Sequence, residues 1–241
     1  MEPTVLRDDM VDSLEHESKG CVRSEAVSVA MRSTPRHLFV EEDRGAYADR
    51  PFERFGTRVL APSTVGRLLE LLAPERGESV LVVGVGVGYT AGVLAEIVGP
   101  RNVQAIDIAR RLVYEARENL AAAGYEAVFV DRRDGKDGLP EYAPYDKILL
   151  EAAAVRPPRA LLDQLASDGH LVMPLGATDQ SLAVVDDEIT EFGGCAFAPM
   201  LVEGEQAETL ERNRTRREDR EFARQHDDKR RGWELDWIDW E

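Results

Sequence analysis

Three glycines at alternate positions follow a run of four branched apolar residues, Val80-Leu81-Val82-Val83-Gly84-Val85-Gly86-Val87-Gly88-Tyr89. A strand ending in such a turn lets backbone approach a nucleotide ligand closely at the carboxyl edge of a sheet. The plain alternative is a tight turn that binds nothing. A dinucleotide loop has its third glycine three residues after the second. That place is Tyr89, and Gly88 comes one residue early. The spacing disfavours a nicotinamide-dependent oxidoreductase and suits an adenosylmethionine-binding loop. Asp107, 19 residues after Gly88, ends the next apolar run. There a carboxylate can accept both hydrogen bonds of a ribose diol, or serve only as the cap of the following helix. Asp134 and Gly135 follow the third run, within reach of an adenine amino group, although such a pair is also an ordinary turn.

These residues need strands to carry them. Strands are expected over Val80–Val83, Val103–Asp107, Ala127–Val130, Lys147–Leu150 and His170–Pro174. Helices are expected between them over Thr90–Val98, Arg110–Ala123 and Leu161–Leu165. The alternation predicts a doubly wound α/β, Rossmann-like sheet, and the glycine spacing suits the adenosylmethionine-binding form of that fold. Late, antiparallel strands are expected over Leu182–Asp186 and Cys195–Leu201. Residues 1–76 read as a helical cap, with helices over Val22–Met31 and Thr64–Leu72 and a Pro-containing loop over Asp49–Pro62. Residues 77–202 form the cofactor-binding core, and residues 203–241 a charged, helical C-terminal extension. All three tryptophans, Trp233, Trp237 and Trp240, lie in the last nine residues. They read either as the packed tip of a solvated helix or as a docking element for a partner.

Composition narrows the classes. The 241 residues carry 46 acidic and 30 basic side chains, a net charge of -16, with only four lysines among the bases. Such a balance is expected of a halophilic protein in a salt-rich cytoplasm, where about 1 M salt screens charge within about 3 Å. It argues against nucleic acid as a partner. The apolar run Ser79–Thr90 is short of the roughly 20 residues that cross a membrane, and residues 1–4 lack the pattern of a signal peptide. Cys21 and Cys195 make no disulfide framework. His16, His37, His170 and His226 show no ligand spacing, so no metal is expected.

Longer blocks resemble the protein-L-isoaspartate O-methyltransferase family over about residues 20–202. They are Ala30-Met31-Arg32-Ser33-Thr34-Pro35-Arg36-His37-Leu38-Phe39-Val40, Ala46-Tyr47-Ala48-Asp49-Arg50-Pro51, Ala143-Pro144-Tyr145-Asp146, Ala152-Ala153-Ala154 and Gly169–Gly176. The resemblance implies S-adenosylmethionine as cofactor and the free carboxylate of isoaspartyl residues in damaged proteins as substrate. The ester then cyclises to a succinimide that reopens partly to aspartate. It further implies that Gly86 and Gly88 line the methionine end, Asp107 the ribose and Asp134 the adenine, with Gly84, Tyr89 and Gly135 also in the cofactor site.

Three positions depart from the family. Its substrate loop reads near G-x-Q-T-I-S-x-P, with the serine gripping the substrate carboxylate. Here the stretch is Gly56-Thr57-Arg58-Val59-Leu60-Ala61-Pro62, so that Leu60 takes the serine's place. Thr57, Arg58, Leu60 and Ser63 are therefore the candidate substrate contacts, with Arg58 able to grip a carboxylate bidentately. The family's acid two residues before the first glycine is Val82, and Glu151 stands where a small residue or threonine is usual. Glu151 would repel a carboxylate substrate unless protonated or paired, for instance with Arg156. Two further readings stay open: an inactive, cofactor-binding relative with a regulatory role, and a methyltransferase with another substrate.

Overall fold

The computed structural model describes residues 2–40, 45–55 and 57–201. Gly56 and the charged extension, with its expected docking element, lie outside the described residues.

The cap is built from helices α1 (Pro3–Glu15), α2 (Glu25–Ser33) and α3 (Pro62–Leu72). Pro3 and Pro62 stand in the first turns of α1 and α3, where a missing N–H costs no helical bond. Ser24 caps α2 by accepting from the Val27 N–H. Helix α3 buries Val65, Leu68, Leu69 and Leu72 along one stripe. The expected loop before α3 contains a hairpin, β1 (Phe52–Arg54) with β2 (Thr57–Val59), paired antiparallel. Three residues per strand are too few to show an alternating pattern, so periodicity leaves the hairpin unmarked.

The core sheet has β3 (Val80–Val83), β4 (Val103–Asp107), β5 (Phe129–Arg132), β6 (Tyr145–Leu150), β7 (Leu165–Leu175), β8 (Gln180–Val185) and β9 (Ile189–Cys195). Helices α4 (Tyr89–Val98), α5 (Arg110–Ala122) and the single turn α6 (Arg159–Leu162) complete it. The order is β5-β4-β3-β6-β7-β8-β9, parallel from β5 to β7 and antiparallel through β8 and β9. Val80 and Val82 pack into the cluster shared with the cap, which includes Leu14 and Leu69, while Leu81 and Val83 join Ile148 and Leu150 on the other face. Burial on both faces is why β3 reads as an unbroken apolar run.

The last strand is a correction. It spans Ile189–Cys195, not Cys195–Leu201. Its residues are exposed up to Cys195, so no core-facing alternation marked it. Phe197 and Met200 are instead buried on a loop, which the Ala153 N–H holds through the Ala198 carbonyl and the Met200 N–H through the Ala153 carbonyl, both at 2.8 Å. The third parallel strand starts at Phe129 rather than Ala127, because Tyr125 and Val128 are used in a turn.

Candidate active site

Strand order reverses at β3, with β4 on one side and β6 on the other, and open α/β sheets bind ligands in the crevice at such a switch. The glycine turn fills this place. Gly84, Gly86 and Gly88 have φ of 85°, 56° and 93°, in the left-handed region that side chains avoid. At Gly88 a Cβ would also lie 3.2 Å from Leu120 Cγ, so the Leu120 side chain of α5 would have to give way by a few tenths of an ångström.

Asp107, at the end of β4, faces this turn. Its Oδ2 accepts from the Gly86 N–H at 3.0 Å and its Oδ1 from the Ala109 N–H at 2.9 Å. Burial pushes the carboxyl up to about 6, against the pull of these amides. Glu151, one residue past β6, stands across the switch, its N–H on the Val83 carbonyl at 2.8 Å. Its carboxyl bonds the Thr90 hydroxyl in the first turn of α4. Its Oε1 is sealed from solvent and, among the described residues, has no hydrogen-bond partner. Burial, with the negative charge of Asp107 adding to it, pushes Glu151 up to about 8.

One cleft joins these groups. It is lined by Gly84, Asp107 and Glu151, by the apolar side chains of Val83, Ile106, Ile108 and Leu112, and by Arg133 and Gly135. Thr57 and the segment from Ala198 to Leu201 also line it.

Of the four expected substrate contacts, Thr57 alone lines this cleft. Arg58 alternates to the other face of β2, paired in register with Glu53. Leu60 packs on the cap core, and its carbonyl accepts from Arg36 at 2.7 Å. Ser63 donates its N–H to Asp49 at 2.9 Å. Among the cofactor candidates, Gly84, Asp107 and Gly135 line the cleft, and Gly86 meets it through its bond to Asp107. Tyr89 turns to the cap, edge-on to Phe39 and with the Arg36 guanidinium 4.5 Å from its ring centre. Asp134 sits between Arg133 and Gly135, accepts from the Lys136 N–H at 3.0 Å and pairs with the Lys136 ammonium.

The sequence reading gave no part to Thr90, Arg133 or the segment from Ala198 to Leu201. A role for Arg36 was legible only as part of the Pro35–Val40 block. Buried, it also donates to the Ala46 carbonyl at 2.9 Å, so it ties the chain just after the β1–β2 hairpin to the first residue of α4. Desolvation lowers its pKa.

An adenosyl ligand fits these groups. It offers a planar base to the apolar wall, a diol to an anchored carboxylate, and positive charge to a carboxyl that lacks a partner. A family model described as protein-L-isoaspartate(D-aspartate) O-methyltransferase matches residues 7–199. The chain belongs to that family. Its cofactor is S-adenosylmethionine. The chain is similar to the protein-L-isoaspartate O-methyltransferase of Aeropyrum pernix, 46% identical over 183 residues, 73% of this chain and 70% of that protein. To that of Methanopyrus kandleri it is 42% identical over 209 residues, 82% and 92% of the two chains. A solved structure titled protein-L-isoaspartate O-methyltransferase gives a TM-score of 0.71 at 23% identity, covering 80% of this chain and 65% of that one. Another, from Plasmodium falciparum in complex with S-adenosyl-L-homocysteine, gives 0.71 at 20% identity, covering 81% and 98%. At these identities the two structures speak for the fold, the class I methyltransferase sheet.

Proposed function

We propose that this chain methylates the free carboxylate of isoaspartyl residues in damaged proteins. Membership of the family supports the substrate, and the observation that carries the reading is Thr57, a hydroxyl-bearing residue that lines the same cleft as Gly84, Asp107 and Glu151. S-adenosylmethionine, when bound, supplies an electrophilic methyl group. The chain's own task is mild, because a carboxylate is already a nucleophile at neutral pH and needs no base. With Leu60 at the family's serine position, it is Thr57 that donates a hydrogen bond to one carboxylate oxygen and leaves the other free to attack. The wall from Ala198 to Leu201, held by Ala153, excludes water and fixes the approach. Asp107 holds the ribose, Gly84, Gly86 and Gly88 admit the methionine end, and Asp134 and Gly135 stand at the adenine. Tyr89, Leu60 and Ser63 shape the site from behind, through Arg36 and Asp49, and Arg58 lies in register with Glu53 on the hairpin. Glu151 does not repel the substrate in the ligand-free enzyme, since its burial keeps the proton on at neutral pH.

The same reading places the protein in a salt-rich cytoplasm, supported by its net charge and its four lysines. That charge also speaks against nucleic acid as a partner, and no described helix is long and apolar enough to cross a membrane. A docking role for residues 203–241 rests on their three tryptophans. The test is labelled methyl transfer to an isoaspartyl peptide and its aspartyl twin in molar KCl. Base-labile label on the isoaspartyl peptide alone is expected. Label on neither, from folded protein that binds S-adenosylhomocysteine, would overturn the proposal.

A further inference from the structure

We infer that Glu151 anchors the cationic amino-acid end of the adenosyl ligand and thereby sets the enzyme's preference for ligands that carry it. The inference rests on reading this cleft as the cofactor site. Three observations converge on it. First, β4 brings Asp107 to one side of the glycine turn and β6 brings Glu151 to the other, with β3 between them. A ligand whose ribose lies at Asp107 and which crosses the turn ends at Glu151. Second, a Cβ at Gly84 would lie 3.9 Å from Glu151 Cβ, so this side chain stands directly beside the turn. Strand β3 itself, Val80-Leu81-Val82-Val83, brings no acid there. Third, the two acids differ in what the fold gives them. Asp107 has two backbone amides, whereas Glu151 has the Thr90 hydroxyl and one buried oxygen with no partner.

A buried carboxyl left in this state holds its proton, and the negative charge of Asp107 opposite reinforces that. Among the described residues that line the same cleft Arg133 is the cation, and it pairs with Asp131 and Glu141. An ammonium group arriving beside Glu151 offers the missing partner, and the proton then leaves the carboxyl for solvent. The resulting pair is neutral, so an approaching substrate carboxylate meets no net repulsion. A ligand without the amino-acid end leaves Glu151 protonated.

The test uses the full-length chain, S-adenosylhomocysteine, and 5′-methylthioadenosine, which lacks the amino-acid end. Calorimetry at about pH 7 in buffers of different ionisation enthalpy reads both affinity and proton release. The wild type is expected to release close to one proton on binding S-adenosylhomocysteine and almost none on binding methylthioadenosine. Glu151→Gln should weaken S-adenosylhomocysteine about tenfold or more, leave methylthioadenosine within about twofold, and abolish the release. Equal release for the two ligands in the wild type would overturn the inference, and that comparison needs no variant. So would unchanged S-adenosylhomocysteine affinity in Glu151→Gln with only the peptide KM raised, which would assign Glu151 to the substrate. Failure of the wild type to bind either ligand would instead overturn the cofactor reading on which the inference rests.

Discussion

Two carboxyls flank one glycine turn, and the fold treats them oppositely. Asp107 is satisfied in advance: the Gly86 and Ala109 amides meet its two oxygens, so it is rigid before any ligand arrives. Glu151 is left short, with Oε1 buried and unpartnered and its proton retained. The first arrangement positions a ligand. The second waits for one, storing an unfavourable burial that a cation relieves. Both acids have raised pKa values, so the shift alone does not separate the roles; the hydrogen bonds do.

The comparison can be broken by removing each acid in turn. Asp107→Ala strands two buried amides, each costing about 1–3 kcal/mol. Its melting temperature should fall by several degrees, and S-adenosylhomocysteine binding should drop by about 100-fold, as calorimetry would show. Glu151→Gln should have the opposite sign in the ligand-free protein. Because folding raises the Glu151 pKa to about 8, the stability tied to its proton is complete below about pH 4.5 and is lost as pH rises towards 8. Gln keeps no such dependence. Thermal melts should therefore show the variant matching the wild type near pH 4.5 and exceeding it by several kcal/mol, about 5 for the full shift, above pH 8. The smallest effect is expected of Thr90→Val, which removes the hydroxyl that bonds the carboxyl. It should raise the Glu151 titration midpoint further and weaken S-adenosylhomocysteine only a few-fold, by about 0.5–1.5 kcal/mol.

The cofactor half of the molecule was legible in the chain because its signals are local. An apolar run, a glycine turn and a terminal acid lie within 28 residues of sequence, from Val80 to Asp107, and the fold keeps them together. The substrate half was not. The hairpin carrying Thr57 is too short for periodicity, and alternation along β2, invisible without the pairing, decides that Thr57 and not Arg58 meets the cleft. The strand Ile189–Cys195 escaped because its exposed residues leave no core-facing pattern, whereas buried Phe197 and Met200 imitate one. Glu151 could be noticed as an odd residue, but its lack of a partner exists only in three dimensions. Burial by α4 and the distance to Asp107 across β3 are tertiary facts.

The most direct measurement is a carbon-detected NMR titration of the side-chain carboxyls, with and without S-adenosylhomocysteine, assigned by Glu151→Gln and Asp107→Asn. The ligand-free protein should show Glu151 titrating at about 8 and Asp107 at about 6. Saturation with ligand should return Glu151 to the ordinary carboxylate range. An ordinary midpoint for Glu151 in the free protein, or a raised one that S-adenosylhomocysteine leaves in place, would contradict the division of labour between the two acids.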